Sequence, residues 1–361
     1  MEEKGKKGRM DYTLLLIVVL LVVIGLVILY STSAYNGQVK FHDSFYYLKK
    51  QAFATVLGIV LMLFVAGMDY HIWQRLAVFG YLAAVALSVA VMLFGREING
   101  SKRWLALGPF SFQPSEFAKV ALILFLADLV TKNVKTIGKM WTLCRIMFWI
   151  LPIVGIVGAS NLSTAIIILG IGVILIFVAS PKYAQFALMG IAGACFMGIF
   201  LALESYRLER LAIWRNPEKY EKGYQTLQGL YAIGSGGVFG VGIGNSVQKL
   251  GFVPEAQNDM IFSIICEELG LAGAGIIVFL FLLLIWRFFL IASGSRDLFG
   301  ALIATGAMAH MMIQVILNIA VVTNTIPNTG ITLPFISYGG TSVMFLLIEM
   351  GLVLSVSQVV D

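Results

Sequence analysis

The sequence predicts an all-α polytopic membrane protein. It would have ten transmembrane helices, both termini in the cytoplasm, and one long extracytoplasmic loop between helices 7 and 8. Three observations predict it. Apolar residues make up 59% of the 361 and charged residues only 12%, against roughly 45–50% and about 25% in an average soluble domain. The apolar residues gather into runs of about 18 or more, enough for a helix to cross a hydrocarbon layer about 30 Å thick. The hydrophilic gaps between the runs carry unequal numbers of basic residues, and that inequality sets orientation. This composition excludes a soluble enzyme, a disordered regulator and a disulfide scaffold. The net charge of +6 belongs to membrane orientation and implies no nucleic acid.

Ten runs can be marked: 12–31, 51–68, 73–95, 114–131, 142–159, 162–180, 183–203, 260–290, 298–322 and 340–359. The first follows a basic stretch, Lys4 to Arg9, as a secretory leader would. Its apolar core is too long for that role and nine more runs follow, so it reads as a retained helix. With the N-terminus in the cytoplasm, twelve basic residues fall in the inner segments and six in the short outer loops. The opposite orientation inverts that ratio. The whole chain, 1–361, reads as one membrane domain.

One connection is out of scale. Residues 204–258, on the outer face, form a loop far longer than compact proteins ordinarily use. Its aromatic, apolar and Gly-rich stretches are those of a folded lid. Within it, Gly234-Ser-Gly-Gly-Val-Phe-Gly-Val-Gly-Ile-Gly244 fits neither GxGxxG nor a P-loop. It reads as tight irregular backbone in an outer vestibule, and a backbone N–H nest for a phosphate stands as the alternative. The segment Asn324 to Gly340 is uncharged and rich in turn residues. Non-helical backbone at membrane depth requires burial in protein or a wet cavity, so this segment reads as a re-entrant loop.

Charges inside a span are costly. Lys119 is the one basic residue placed within a helix. Glu116 precedes it by three positions, which puts both on one helical face. They form either a structural ion pair or part of a polar cavity open to the outer leaflet. The polar runs Asn99-Gly-Ser-Lys-Arg-Trp104 and Gln113-Pro-Ser-Glu116 lie just upstream, and Pro114 suits a first helical turn. Asp259 stands at the membrane–water boundary, where it either complements a helix dipole or faces a cavity. Glu267 and Glu268 lie about 12 Å deeper along the same helix and need polar partners. Cys144, Cys195 and Cys266 have no metal or disulfide spacing and read as small core hydrophobes. His42, His71 and His310 are scattered.

Together these segments resemble a family. Asn99-Gly-Ser-Lys-Arg-Trp104, Phe112-Gln-Pro-Ser-Glu-Phe-Ala-Lys119, Gly223-Tyr-Gln, Ala232-Ile-Gly-Ser-Gly-Gly237, Pro254-Glu-Ala-Gln-Asn-Asp259, Glu267-Glu-Leu-Gly270 and Leu333-Pro-Phe-Ile-Ser-Tyr-Gly-Gly340 are similar to the signatures of the SEDS proteins (RodA, FtsW and SpoVE). The match runs from about residue 12 to the C-terminus. The resemblance implies a ten-helix fold and a peptidoglycan glycosyltransferase that polymerises lipid II, working with a class B penicillin-binding protein and other division or elongation proteins. It places the essential acid on Asp259 and the cavity-lining positions on Trp104, Gln113, Glu116 and Lys119. A Tyr-Arg-Leu-x-Arg stretch falls on Tyr206, Arg207, Leu208 and Arg210. Two departures stand out. Gln257-Asn258 replaces the family's frequent His-Thr, so no histidine assists the acid. Ser160-Asn-Leu-Ser-Thr164 replaces Pro-Asp-Leu-Gly-Thr, which removes an acid there. The Gln-Asn-Asp form is closer to septal and sporulation members.

The implied reaction displaces a lipid pyrophosphate from an anomeric carbon by a sugar 4-hydroxyl, with inversion. Pyrophosphate leaves readily, so one base and cationic stabilisation suffice where glycosidases need two carboxylates. Asp259 is the expected base. Lys119, with Arg103 and Arg210, is expected to balance charge on the leaving group, while Glu116 holds Lys119. A divalent cation is compatible with this chemistry, although no ligand cluster argues for one. An apolar groove open to lipid is expected to take the polyprenyl tail. A lipid II flippase using the same cavity is the alternative, and a scaffold that only recruits the penicillin-binding protein is a weaker third.

Overall fold

Long aliphatic runs make the helices, and short polar residues set their ends. The computed structural model describes residues 8–98, 101–107, 110–187, 190, 191, 193 and 211–360. Helix α1 (Tyr12–Phe41) is capped by Asp11, whose carboxylate accepts from the Leu14 amide at 2.9 Å, satisfying one of the free N–H groups of a first turn. Helices α2 (Tyr46–Gly67) and α3 (His71–Phe94) follow. After three short strands come α4 (Pro114–Asn133), α5 (Met140–Ser160) and α6 (Leu162–Ala179), the last capped by Asn161 onto the Thr164 amide. A shorter helix, α7 (Tyr224–Ser235), precedes α8 (Ile261–Gly294), α9 (Leu298–Val322) and α10 (Gly340–Ser357).

Among the described residues, eight helices are long and apolar enough to cross a membrane: α1, α2, α3, α5, α6, α8, α9 and α10. The protein is a multi-pass membrane protein. Helix α4, expected as a span, is not among the eight, since Glu116, Lys119 and Asp128 fall within one stretch of it. It is instead buried nearly all round, packed against α3, α5, α6, α9 and α10. A helix enclosed by others can carry charge that a lipid-facing one cannot. The expected seventh span, 183–203, lies mostly outside the described residues.

The all-α class holds for the spans, and one small sheet is added to it. Between α3 and α4 the chain forms an antiparallel sheet of β1 (Arg96–Ile98), β2 (Ser101–Leu107) and β3 (Phe110–Phe112), in the order β1-β2-β3. Beyond the helix ends the backbone must still satisfy its polar groups, and a meander does so locally. Cys144 is exposed and Cys266 buried, so the former is not the core residue expected.

Helix α8 is broken one-third of the way along. Gly270 has φ 66° and ψ −171°, a backbone state that strongly favours glycine. The polar groups released by the break are taken up by the Gly-rich segment. Val241 N–H donates to Glu267 O and Gly242 N–H to Glu268 O, both at 2.9 Å, while Leu271 and Ala272 N–H donate to the carbonyls of Gly237 and Val238. The approach is so close that a Cβ on Gly240 would sit 2.2 Å from Glu268 O. The amides of Val241 and Gly242 are therefore occupied by a helix and not offered to a phosphate.

The connection from α9 to α10 is buried and irregular. Its Leu333, Phe335, Ile336 and Ser337 are all buried, and the Phe335 carbonyl lies against Gly25 of α1, where a Cβ would approach to 2.5 Å. Gly25 is about 20 Å along its helix, so this loop reaches well into the bundle.

Candidate functional site

The site is built at the end of the bundle where α1 finishes and α4 begins. Asp259 lies two residues before α8, partly exposed. Gln225 of α7 donates from Nε2 to Asp259 Oδ1 and to Pro254 O, each at 3.4 Å, and accepts from Asn328 Nδ2 at 3.4 Å. Gly330 (φ +68°) faces the other carboxylate oxygen, a Cβ there coming 3.8 Å from Oδ2. Asn318 of α9 donates to Asp259 O at 2.9 Å and to Ile331 O at 2.7 Å. Burial pushes the Asp259 carboxyl up to about 6, and the nearby Glu255 charge pushes the same way, while a backbone hydrogen bond and the Gln225 amide oppose it. A carboxyl titrating there is suited to accept a proton near neutral pH.

The residues preceding the acid hold its loop. Gln257 and Asn258 both donate to Glu255 Oε2 at 3.0 Å, and Lys40 pairs with Glu255 Oε1 at 2.9 Å. Gln257 also accepts from Asn36 Nδ2 and, through its carbonyl, from Tyr338 N–H. The Gln-Asn pair thus organises Glu255, a residue with φ 50°, and not the Asp259 carboxylate.

Lys119 is 1% exposed. Its ammonium contacts Glu116 Oε1 at 3.0 Å and Gln314 Oε1 at 3.2 Å, and Glu116 Oε2 accepts from Ser342 Oγ at 2.8 Å. The cluster continues deeper. His310 Nε2 meets Gln314 Oε1 and His310 Nδ1 meets Glu349 Oε2, both at 2.8 Å. Gln314 Nε2 donates to Thr332 O at 3.1 Å. A carbonyl can only accept, so the Gln314 amide has one orientation and His310 Nε2 carries a proton. Lys119 therefore faces a closed polar cluster of Glu116, Gln314, His310, Glu349 and Ser342, and not open water.

Of the remaining expected residues, Gln113, Trp104 and Arg103 lie on the segment that leads into α4. Gln113 precedes α4 and donates to Ser115 Oγ at 3.1 Å. Trp104 and Arg103 belong to β2, and Arg103 Nε donates to Ser160 O at 3.0 Å. Arg103 lines a small recess with Ser88, Ser115 and Asn161, at the first turns of α4 and α6. Arg210 lies outside the described residues, as do Tyr206, Arg207 and Leu208. An apolar groove of about 170 Å³ opens between α1, α2 and α10, lined by Val18, Val22, Val56, Ile59, Met62 and Leu347 among others. Among the described residues no group of three or more His, Cys, Asp or Glu side chains comes together.

Known proteins share this fold. The profile of the FtsW/RodA/SpoVE family, described as cell cycle proteins, matches residues 12–361. The chain belongs to the SEDS family. Stage V sporulation protein E of Bacillus subtilis (strain 168) is 40% identical over 366 residues, covering 98% of each chain. A protein of Geobacter sp. (strain M18) named "Probable peptidoglycan glycosyltransferase FtsW" is 34% identical, with 96% of each chain covered. Among solved structures, a peptidoglycan synthase complex described as coordinating polymerization and crosslinking contains a chain with TM-score 0.83 and 29% identity, covering 96% of this chain and 97% of that one. The rod shape determining protein RodA of Thermus thermophilus gives 0.72 and 28%, with 96% of each covered.

For this SEDS protein, several site residues escaped sequence reasoning. Gln314, Asn318, His310 and Glu349 sit in apolar runs without a motif of their own. Their only signal was the cost of polar groups inside spans, His310, Gln314 and Asn318 at i, i+4 and i+8 along α9 and Glu349 on α10. Lys249 falls within the long loop of residues 204–258, yet it is buried and pairs with Glu268 at 2.6 Å, with Ser31 Oγ at 3.0 Å.

Proposed function

We propose that the chain is a peptidoglycan glycosyltransferase that polymerises lipid II on the outer face of the bacterial cytoplasmic membrane. SEDS membership over nearly the whole chain supports the activity. The observation that carries the mechanism is the partly exposed Asp259 carboxyl, held by Gln225 and pushed by burial up to about 6.

In this reading Asp259 accepts the proton of the acceptor 4-hydroxyl as its oxygen attacks the anomeric carbon. The bond from that carbon to the pyrophosphate oxygen breaks, the electron pair leaves with the lipid pyrophosphate, and the α linkage becomes β. Arg103 and Arg210 supply positive charge beside the leaving group, and Lys119, closed in among Glu116 and Gln314, adds its charge from behind that cluster without touching the pyrophosphate. Trp104 and Gln113 flank that region, and Glu116 fixes Lys119. The apolar groove beside α1 and α2 suits a prenyl chain. Any divalent ion would add charge compensation at the pyrophosphate.

The finer topology belongs to the same proposal: ten spans, both termini cytoplasmic, the site outward. The two-to-one bias of basic residues supports it. Kinship with a chain from a complex that couples polymerization to crosslinking supports a class B penicillin-binding protein as partner. The 40% identity to a sporulation protein favours a septal or sporulation setting. Among the described residues Lys119, Glu116, His310 and Glu349 are taken up by one another and by Gln314, and nothing specific favours the transport alternative.

The test is polymerisation of labelled lipid II by the purified chain with its partner. Asp259→Ala should abolish long glycan. Polymer made at the wild-type rate would remove Asp259 from the mechanism.

A further inference from the structure

Helix α9 carries three polar residues one turn apart, His310, Gln314 and Asn318, so all three lie on one face. Two of them are carboxamides with parallel contacts. Asn318 donates to Ile331 O and Gln314 donates to Thr332 O, adjacent carbonyls of the re-entrant loop. The remaining bond of Asn318 goes to Asp259 O, and the remaining bonds of Gln314 go to Lys119 and His310. Both side chains are buried, Asn318 completely and Gln314 to 2% exposure.

We propose that Gln314 and Asn318 form a carboxamide ladder that couples the catalytic acid to the buried ammonium, and that both are positioning residues for glycosyl transfer. The inference rests on Asp259 being the base. The ladder fixes one stretch of re-entrant backbone between α9, the segment entering α8, and α4. Asp259 and Lys119 sit at its two ends. A shift of Asn318 moves the backbone of the acid directly, and moves Gly330, which faces the Asp259 carboxylate, through Ile331. A shift of Gln314 moves the ammonium and, through Thr332, the same loop. The two groups thus keep register without touching.

A second observation points to position over stability. Asn318 Oδ1 is buried with no hydrogen-bond partner among the described residues. Both donors are used and the acceptor is left over, a state that costs stability. Local rules broken in this way mark functional sites. The loop itself needs something at that point, because its carbonyls at Ile331 and Thr332 are not taken by regular secondary structure. His310 and Glu349 close the lower end of the ladder, and the Thr332 carbonyl settles which way the Gln314 amide points.

The experiment compares Asn318→Leu, Gln314→Leu and the double variant in the full-length chain with its partner, following lipid II polymerisation and thermal unfolding. Thr305→Ala, on the same helix but remote from the site, serves as the control with unchanged rate. A misplaced reacting group costs up to about 10²-fold in rate, so each single variant should lose about 10- to 100-fold in kcat with KM nearly unchanged. The acid limb of the pH–rate profile should move in Asn318→Leu. The double variant should lose little more than the worse single one, since either change breaks the same register. If Asn318→Leu does not fold, Asn318→Ser, which keeps one donor, carries the same expectation. Folded single variants with wild-type kcat, or a double variant whose loss is the product of the two, overturn the ladder. Asp259→Asn, measured alongside, separates the two ideas. If it is inactive while the ladder variants are normal, only the ladder fails. If it is active, the general-base assignment fails first.

Discussion

The pH dependence of polymerisation tests the Asp259 assignment most sharply. Burial holds this carboxyl at about 6, where an ordinary one would titrate near 3.8. A base works only when ionised. At a value near 6, about nine-tenths of the carboxyl is ionised at pH 7 and about one-tenth at pH 5, so the rate should fall roughly ten-fold between them. An unshifted acid would still be more than about nine-tenths ionised at pH 5, and the rate would be nearly flat. Two substitutions should move the limb in opposite directions. Gln225→Leu removes a hydrogen bond to the carboxylate and should shift it upward, whereas Glu255→Gln removes a neighbouring negative charge and should shift it downward. Initial rates with labelled lipid II between pH 5 and 8 provide the assay. A profile flat to pH 5, or one that ignores both substitutions, refutes the reasoning. The linkage has a definite sign. The folded chain binds this proton more tightly than the unfolded chain, so the group favours folding below about pH 4 and loses that contribution as pH rises through 6. Asp259→Asn should therefore be inactive yet melt higher than wild type at pH 8.

Further predictions follow from the packing. Lys249→Met leaves Glu268 as an unpaired buried charge and should destabilise by about 3–5 kcal/mol; adding Glu268→Gln should recover most of the loss in a thermal melt. Gly270→Ala places a Cβ against the Gly240 amide at a positive φ, so yield of folded protein should collapse, with a cost above about 2 kcal/mol. Lys119→Met should lower the polymerisation rate by about 10²-fold or more. Lys119→Met with Glu116→Gln should regain thermal stability without regaining activity, which a purely structural pair would not show.

The architecture was legible because its causes are local. Continuous aliphatic runs announce spans, and Pro114 announces a first turn. Composition reached its limit at α4. Glu116, Lys119 and Asp128 make it a poor span by apolarity, and only the ring of helices around it explains how those charges are tolerated. The sheet Arg96–Phe112 was hidden because its strands are short and follow no clear alternation. Asp259, Glu116 and Lys119 were visible as charges where charge is costly. The glutamates of α8 were visible for the same reason, but their partners Lys249, Ser31 and Ser246 come from distant segments.

By itself, the sequence determined that this chain crosses a membrane many times, that it carries SEDS motifs along its length, and which acids lie in or beside its apolar runs. Those properties depend on apolarity, spacing and residue type along the chain. Only the tertiary structure decided what those residues touch. Lys119 meets Gln314 across 195 positions and Asn318 meets the Asp259 carbonyl across 59. The Gly-rich loop enters the break at Gly270 to satisfy backbone that no neighbour in sequence could. In a bilayer the backbone polar groups must find partners inside the protein, and which partners they find depends on how the helices pack.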